Sequence, residues 1–316
     1  MKHLLSIEDL DRAAIDRILA LASNFAQVAG RPIKKVPSLR GRLVINLFYE
    51  ASTRTRSSFE LAAKRLSADV LNLVASGSSV EKGESLRDTV ATLSAYGPDA
   101  IVIRSPHAGA PSLLAGWTHA SVVNAGDGKH QHPTQALLDC YTLRSRLGSI
   151  EGARIWIVGD ILHSRVARSA IQAFTTLGAH VTVAGPPTLV PDELATLGCE
   201  VRHSLEDLRE ADVVYALRMQ LERMHGSFVP SLGEYVRHYQ IDARRLGARQ
   251  LLMHPGPVNR GIELSGEVID SPQSLIGAQV AAGVVVRMAV LYEVLAAPAG
   301  DGTPAMRAVQ LEPQPA

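Results

Sequence analysis

The feature that most constrains the fold is an apolar segment that leads through a polar turn into a helix. Residues Leu43–Phe48 are mostly branched apolar side chains and follow Gly41, which is typical of a short buried strand. Between Phe59 and Leu66 the apolar side chains recur at helical spacing. Strands that alternate with helices build parallel α/β folds, and this unit therefore favours that class.

The turn between this strand and this helix, residues 52–57, is rich in hydrogen-bond donors. Ser52, Thr53 and Thr55 supply hydroxyl groups, and Arg54 and Arg56 supply guanidinium groups. The start of a helix also presents free backbone N–H groups and the positive end of the helix dipole. These groups predict an anion site, and the fork of Arg54 suits a phosphate. The alternative at this point is an ordinary Ser/Thr helix cap with surface arginines.

The same alternation continues along the chain. We predict strands at residues 43–48, 69–74, 100–104, 121–125, 153–160, 180–184, 200–203, 212–217 and 250–254. We predict a helix capped by Ser6 and others at 85–96, 133–147, 165–177, 191–197, 235–246 and 274–295. The segment from Gly148 to Gly152 is the best domain boundary. We therefore predict two lobes, 1–148 and 149–285, each a mostly parallel sheet flanked by helices.

Polar side chains cluster where the predicted strands end, which is where open α/β sheets bind ligands. These side chains are Arg104, His132, Gln135, Arg165, Arg218, Gln220 and Arg223. A small polar loop, residues 75–84, adds Ser78, Ser79 and Lys82. No acid–base pair or activated nucleophile stands out among them. The pattern predicts that two small anions bind in the cleft between the lobes and react through proximity and electrostatic stabilisation.

Composition narrows the class of protein. The formal net charge of +1 provides no field that would attract nucleic acid or an anionic membrane. The two cysteines, Cys140 and Cys199, have neither metal-ligand spacing nor the pattern of a disulfide framework. The first residues soon become polar and acidic, unlike a signal peptide, and no apolar run reaches membrane-spanning length. We therefore expect a cytoplasmic protein.

Four segments resemble the motifs of the aspartate carbamoyltransferase catalytic chains, in that family's order and spacing. They are residues 52–56 (Ser-Thr-Arg-Thr-Arg), 132–135 (His-Pro-Thr-Gln), 218–223 (Arg-Met-Gln-Leu-Glu-Arg) and 254–260 (His-Pro-Gly-Pro-Val-Asn-Arg). The resemblance extends over nearly the whole chain, up to Leu295. Ornithine-specific relatives carry a cysteine in the second motif and a His-Cys-Leu-Pro segment near the fourth. Thr134, Pro255 and Gly256 occupy those places here, which favours the aspartate enzyme.

The resemblance implies a reaction and a set of roles. The carbamoyl group of carbamoyl phosphate is transferred to the amino group of L-aspartate, which gives N-carbamoyl-L-aspartate and phosphate in the committed step of de novo pyrimidine (UMP) synthesis. The residues implied for carbamoyl phosphate are Ser52, Thr53, Arg54, Thr55, Ser78, Arg104, His132, Gln135, Gly256 and Pro257. Those implied for aspartate are Lys82, Arg165, Arg218 and Gln220. The residues implied in catalysis are Arg54, Thr55, Lys82, Arg104 and His132, with His132 as a hydrogen-bond donor rather than a base.

The resemblance also implies an assembly. Glu50 and Arg223 would latch the lobes together, and the loop that carries Lys82 would cross to the neighbouring subunit of a homotrimer, so that the active site lies both in the cleft and at the subunit interface. Ser78 is preferred over Ser79 for that site because of its distance from Lys82. The C-terminal helix, about residues 286–316, would join the first lobe. No metal or cofactor is implied, and regulatory or dihydroorotase-like partner chains stay open.

Three other interpretations compete with this one. A carbamoyltransferase for ornithine or a related amine would need an acidic pocket, whereas Arg165, Arg218 and Gln220 predict a carboxylate pocket. A nucleotide-dependent dehydrogenase would need further glycines after Gly159, where the sequence continues Asp-Ile-Leu-His-Ser. A non-catalytic, two-lobed anion-binding module would bind these ligands without turnover.

Overall fold

The computed structural model describes residues 1–74, 83–220 and 228–296. The strands are β1 (Leu43–Phe48), β2 (Asp69–Val74), β3 (Ala100–Ser105), β4 (Ser121–Asp127), β5 (Arg154–Val158), β6 (His180–Ala184), β7 (Glu200–Arg202), β8 (Val213–Ala216) and β9 (Leu251–Met253). The α-helices are α1 (Arg12–Ala29), α2 (Thr53–Arg65), α3 (Leu86–Ser94), α4 (Ala110–Trp117), α5 (Pro133–Leu147), α6 (Arg165–Thr176), α7 (Leu232–Tyr239), α8 (Gly266–Ile269) and α9 (Ile276–Leu295).

The first sheet has the order β2-β1-β3-β4 and all its strand pairs are parallel. Strands β1, β3 and β4 are almost entirely buried, as expected for a parallel sheet with helices on both faces. Leu4 adds an isolated parallel bridge to Val123, which continues the sheet beyond β4. The carboxyl ends of these parallel strands therefore share one edge, and β1 passes directly into α2 there.

The second sheet has the order β7-β6-β5-β8-β9 and is also parallel throughout. Chain order reverses direction beside β5, between β6 and β8, which is the switch point where ligands bind to open α/β sheets. The predicted architecture of two parallel sheets with flanking helices is confirmed. We call the elements from α1 to α5 the first lobe and the elements from β5 to α8 the second lobe. The exact lobe boundaries, 148/149 and 285/286, stay a prediction.

Helix α9 leaves the second sheet and packs against α1, α2 and α5 of the first lobe. Within the part of the chain that the structure describes, it is the one helix long and apolar enough to cross a membrane, but most of it is buried inside the protein. Met288, Ala289 and Val290 have no solvent exposure. Burial of such side chains contributes about 1–3 kcal/mol each, so α9 acts as a core helix of the first lobe.

The first helix begins later than the sequence predicts. Leu4 N–H donates to Val122 O at 2.8 Å and Leu4 O accepts from Asn124 N–H at 2.9 Å, so this segment stays extended along β4. Ser6 then forms a local turn, in which its hydroxyl accepts from Glu8 N–H at 3.1 Å. The true cap is Asp11, whose carboxylate accepts from Ala14 N–H at 2.7 Å. The prediction of a helix capped by Ser6 is therefore wrong.

Two further helix predictions in the second lobe are wrong. Residues 192–197 form a 3₁₀ helix because the segment is short and ends at Gly198, which has a left-handed φ of 81°. The predicted helix 235–246 is α7 instead, which starts after the cap Ser231 and ends before Gln240. Ile241 then pairs with the chain near Leu264, which holds it extended. Helix α4 was missed because its proline and glycine interrupt the apolar pattern.

Candidate active site

A cavity of about 770 Å³ lies between the two lobes, at the carboxyl ends of both sheets. Every predicted site residue except Glu50 that falls within the described ranges lines it. The first lobe contributes Ser52, Thr53, Arg54, Thr55, Arg104, His132 and Gln135. The second contributes Arg165, Arg218, Gln220, Gly256 and Pro257. The structure therefore brings both predicted groups to one space.

The turn after β1 presents the start of α2 to this cavity. Ser52 is the N-cap residue with extended backbone, and its side chain makes no capping hydrogen bond with the helix. The first intrahelical bond runs from Arg56 N–H to Ser52 O at 3.2 Å. The backbone N–H groups of the first turn are therefore directed out of the helix end, beside the exposed side chains of Thr53 and Arg54 and the buried Thr55. This geometry suits an anion.

Arg54 reaches across the cavity to the second lobe. A methyl group placed on Gly256 would lie 2.9 Å from Arg54 Nη2 and 3.0 Å from its Cζ. Gly256 also has a φ of 66°, in the left-handed region that side chains with a Cβ rarely adopt. Glycine at this position therefore allows the segment after β9 to lie directly against the guanidinium.

Glu50 joins the two lobes through arginines. Its Oε2 accepts from Arg165 Nη2 at 2.6 Å and lies 3.2 Å from Arg104 Nε. The Arg165 side chain is only 4% exposed, and its Nη1 donates to Gly128 O at 3.2 Å. Gly126 makes room for it, since a methyl group there would lie 2.9 Å from Arg165 Cζ. The predicted partner of Glu50, Arg223, lies outside the described residues.

His132 is held neutral at the start of α5. Burial, followed by the charges of Arg104, Arg165 and Arg287, lowers the pKa of His132 well below 6.5. Its backbone N–H donates to the Ser169 hydroxyl at 2.8 Å, which ties α5 to α6. Its Nδ1 is buried and has no hydrogen-bond partner among the residues that the structure describes. A neutral imidazole of this kind can donate one hydrogen bond into the cavity and is a poor proton acceptor.

Gln135 rests on a buried carboxylate one turn further along α5. Gln135 Nε2 donates to Asp139 Oδ1 at 3.0 Å, Gln279 Nε2 donates to the same oxygen at 2.8 Å, and the Tyr215 hydroxyl donates to Asp139 Oδ2 at 2.6 Å. Asp139 has no solvent exposure. Burial raises its pKa to about 7, against the lowering effect of these three donors and of Arg287.

The segment after β9 is fixed by side chains from both lobes. Its first residue, His254, donates its backbone N–H to Gln279 Oε1 at 3.0 Å. The His254 ring accepts from Gly256 N–H through Nδ1 at 2.9 Å, which leaves the proton on Nε2, 3.3 Å from Glu263 Oε1. Both His254 and Glu263 are buried. These contacts hold the backbone at Gly256 and Pro257 against the cavity.

The segment that carries Arg218 and Gln220 follows β8. Gln220 N–H donates to Asp160 Oδ2 at 3.3 Å, and Asn259 Nδ2 donates to Met219 O at 3.4 Å. Asp160 is fully buried and also lies 2.8 Å from His163 Nδ1. The aspartate-binding side chains predicted from the sequence therefore stand on a backbone that other loops of the second lobe hold in place.

Four predicted residues cannot be placed. Ser78, its alternative Ser79, Lys82 and Arg223 lie outside the described residues. Among the described residues, no group of three or more His, Cys, Asp or Glu side chains is arranged to hold a metal ion.

Sequence reasoning missed the role of a buried polar layer, part of which forms the cavity wall and part of which lies behind it. Its members are Asp139, Gln279, His254, Glu263 and Arg287. Arg287 is 3% exposed, lies over the Phe59 ring at 5.1 Å, and lines the cavity. A signal existed for two of them, because Gln279 and Arg287 interrupt the apolar pattern of α9, and such residues usually have buried partners.

Comparisons with known proteins agree with this geometry. Residues 2–145 match the aspartate/ornithine carbamoyltransferase, carbamoyl-P binding domain, and residues 151–294 match the Asp/Orn binding domain of the same family. The aspartate carbamoyltransferase catalytic subunit of Acidothermus cellulolyticus is 56% identical over 99% of this chain and 97% of its own length.

Solved structures give the same result. Aspartate transcarbamoylase from Trypanosoma cruzi in complex with carbamoyl phosphate and aspartate is 34% identical, with a TM-score of 0.82 over 93% of this chain and 97% of that chain. The catalytic subunit of M. jannaschii aspartate transcarbamoylase is 36% identical, with a TM-score of 0.81 over 94% and 98%. Motifs, fold and nearly full-length similarity agree, and the chain belongs to the aspartate/ornithine carbamoyltransferase family.

Proposed function

We propose that this chain is the catalytic chain of an aspartate carbamoyltransferase. It transfers the carbamoyl group of carbamoyl phosphate to the amino group of L-aspartate and releases N-carbamoyl-L-aspartate and phosphate, the committed step of de novo pyrimidine synthesis. The relatives reported above carry this name, and the trypanosome enzyme was solved with both substrates.

One observation carries the proposal: two different anion-binding groups face the same cavity from opposite lobes. The start of α2 with Arg54 suits a phosphate, and the pair Arg165 and Arg218 suits carboxylates. Among the described residues that line the cavity, none is Asp or Glu. The ammonium group of ornithine would need such a partner, so the lining favours aspartate.

Carbamoyl phosphate binds to the first lobe. Its phosphate accepts hydrogen bonds from the N–H groups of the first turn of α2, from the hydroxyls of Ser52, Thr53 and Thr55, and from Arg54. Its carbonyl oxygen lies toward Thr55, Arg104 and His132, which stabilise the negative charge that develops on it. Its amide group meets Gln135 and the backbone at Gly256 and Pro257.

Aspartate binds to the second lobe through Arg165, Arg218 and Gln220. Its neutral amino nitrogen attacks the carbonyl carbon, a C–N bond forms, and negative charge collects on the carbonyl oxygen. The bond from carbon to the phosphate oxygen then breaks, and the departing phosphate takes the proton of the amine. This route explains why the described cavity needs no general base, and it fits a His132 that burial and neighbouring arginines keep neutral.

A comparison of amines tests the proposal. The purified protein with carbamoyl phosphate should form N-carbamoyl-L-aspartate from L-aspartate, and turnover with L-ornithine should be lower by at least about a thousandfold. Product is measured colorimetrically as the ureido compound and confirmed by mass. Equal or greater turnover of ornithine would move the chain to the other branch of its family, and no turnover of either amine would leave a binding module.

We further propose that the chain acts as a homotrimer in the cytoplasm and that active sites are shared between subunits. We infer from the family resemblance that the loop with Ser78 and Lys82 enters the site of the neighbouring subunit, with Lys82 spanning both ligands. A heterologous ring allows this because each chain donates one surface and receives another. We also propose that Glu50 and Arg223 hold the two lobes closed. Regulatory or dihydroorotase-like chains stay open as partners.

Mixing two inactive variants tests the shared site. Arg54→Ala and Lys82→Ala trimers each lack an intact site, but in mixed trimers a Lys82→Ala chain beside an Arg54→Ala donor has both residues. Equal random mixing restores about a quarter of the sites, from the statistics of one donor per site in a closed ring. The variants are dissociated, mixed, reassembled and assayed, and subunit exchange is verified by native mass. Activity no greater than the sum of the parents would place Lys82 in its own chain's site or outside the site.

A further inference from the structure

Asp139 lies directly behind the cavity and contacts a predicted substrate-binding side chain. It is one helical turn after Gln135 on α5, and its Oδ1 accepts from Gln135 Nε2 at 3.0 Å. Gln135 itself lines the cavity, whereas Asp139 does not. Asp139 therefore does not touch a ligand itself and acts through the side chains bonded to it, of which Gln135 is one.

This contact determines which end of the Gln135 amide faces the ligand. A carboxylate oxygen that receives two N–H donors cannot also receive a carbonyl oxygen, so the NH₂ group of Gln135 must point toward Asp139. The amide is planar, and Oε1 is then left on the cavity side as an acceptor. An acceptor at that place binds an NH₂ group and gives nothing to a methyl group.

Gln279 on α9 extends the same arrangement to the second lobe. Its Nε2 donates to Asp139 Oδ1 at 2.8 Å, so its Oε1 is free to accept from His254 N–H at 3.0 Å. His254 opens the segment that carries Gly256 and Pro257. One carboxylate oxygen thus orients two glutamines that both line the cavity, and Gln279 also anchors the backbone at its far wall.

We propose that Asp139 is a positioning residue that makes the site select an amide over a methyl group on the carbonyl carbon of the phosphate ligand, by fixing the Gln135 amide with its oxygen toward the cavity. This inference rests on the proposed function, because it takes the ligand's carbonyl carbon to lie beside Gln135.

The arrangement does not depend on the charge of Asp139. The titratable and charged groups that face it are Tyr215 on β8, Arg287 on α9 and Cys140 on its own helix. The Tyr215 hydroxyl oxygen lies 2.6 Å from Asp139 Oδ2. When Oδ2 carries a proton, the hydroxyl can rotate and accept a hydrogen bond from it. A proton on Oδ2 therefore leaves Oδ1 as the acceptor for both glutamines.

The test compares two stable ligands that differ only at the selected position. Phosphonoacetamide carries an NH₂ group on its carbonyl carbon, and 2-oxopropylphosphonate carries a methyl group there. Dissociation constants are measured by calorimetry without aspartate. For Asp139→Leu we expect the affinity for the amide to fall on the order of 10- to 100-fold and that for the ketone to change less than about twofold, because Gln135 can then turn.

Two matched variants separate positioning from packing. Asp139→Asn keeps an oxygen for the two glutamines and offers its NH₂ to the Tyr215 oxygen, so its preference for the amide should stay within about threefold of wild type. Tyr215→Phe removes the bond to Oδ2 and the contact of the Tyr215 hydroxyl with Gln135, but it leaves the bond from Gln135 Nε2 to Oδ1 and should therefore keep the preference. Asp139→Ser, which admits water in place of the carboxylate, replaces Asp139→Leu if that variant does not fold by circular dichroism.

Each outcome of these binding measurements either supports or overturns the proposed role of Asp139. Loss of the amide preference in Asp139→Leu or Asp139→Ser, with retention in Asp139→Asn and Tyr215→Phe, supports the proposal. Equal weakening of both ligands in folded Asp139→Leu or Asp139→Ser, or loss of the preference in Asp139→Asn, overturns it. Turnover of wild type is measured separately with carbamoyl phosphate and aspartate. A protein that prefers the amide ligand but forms no carbamoyl aspartate would disprove the proposed function and leave this inference standing for the phosphate site.

Discussion

The two halves of the cleft present their anion-binding candidates in different ways. In the first lobe the start of α2 supplies backbone N–H groups and hydroxyls within four consecutive residues, 52–55. In the second lobe Arg165 comes from α6, Arg218 and Gln220 come from the segment after β8, and Arg165 is already bound to Glu50 of the first lobe. The first site is therefore formed by local structure, whereas the second depends on packing of separate loops and on the position of the other lobe.

The largest expected effect comes from breaking the local site. In the proposed function, Arg54→Ala removes a charge-assisted contact to the phosphate that strengthens as charge moves onto the leaving group. We expect turnover to fall on the order of 10²- to 10³-fold or more. Steady-state assays and circular dichroism measure turnover and fold. A folded variant with wild-type turnover would remove Arg54 from the phosphate site.

Breaking the second site should affect one substrate only. Arg165→Ala and Arg218→Ala each remove a guanidinium that, in the proposed function, pairs with an aspartate carboxylate, and the KM for aspartate should rise on the order of 10- to 100-fold. Binding of carbamoyl phosphate, followed by calorimetry, should change little because the start of α2 is intact. Collapse of that binding in both variants would mean that the two lobes do not divide the ligands.

A third variant perturbs the contact between the two sites. Gly256→Ala places a methyl group 2.9 Å from Arg54 Nη2, and the flexible guanidinium has to move away from the phosphate. We expect the KM for carbamoyl phosphate to rise on the order of tenfold. The free energy of unfolding should also fall by about 1–2 kcal/mol, because alanine is strained at this left-handed φ.

Gly261→Ala is the matched control for this variant. Gly261 has a φ of 86° but no atom within 4 Å of the added methyl group. It should lose similar stability and keep the wild-type KM. A similar KM increase in both variants would trace the effect to general strain rather than to Arg54.

The smallest effect on activity, and a distinct effect on stability, is expected for Asp139→Asn. The folded-state pKa of Asp139 is raised to about 7 from 3.8, so the folded protein binds the proton more tightly and the wild type loses stability as the pH rises through this window. The variant has no such proton. Its free energy of unfolding relative to wild type should therefore increase by about 2–3 kcal/mol between pH 5 and pH 8.

Urea denaturation at the two pH values measures this difference, and the histidines with lowered pKa, His132 and His254, cancel because both proteins contain them. An unchanged difference between the two pH values would contradict the raised pKa of Asp139.

The same contrast explains what could be predicted from the sequence. β1 and the start of α2 follow from periodicity and a helix start that lie within about twenty residues, and β1, β2 and β6 begin and end where the sequence predicts. The side chains that line the cavity were found because they stand at strand ends. Asp139 was missed because its partners Tyr215 and Gln279 are 76 and 140 residues away, and no local pattern distinguishes a buried carboxylate from one on a helix surface.

The first helix shows the same limit. Ser6 and Asp9 have the spacing of a helix cap, but the hydrogen bonds of Leu4 with Val122 and Asn124 keep the preceding chain extended. A contact across more than a hundred residues thus overrides a local preference of about 1 kcal/mol.

The return of α9 to the first lobe has a mechanical consequence. The chain leaves the first lobe after α5 and comes back to it in α9, so the second lobe is an insertion attached through two covalent connections rather than one. A body with a single connection can swivel in any direction, whereas one with two is restrained to bend about the line that joins them. Any opening of the cleft is therefore restrained to a bend about that line, and such a bend would separate Glu50 from Arg165 and return them to the same contact.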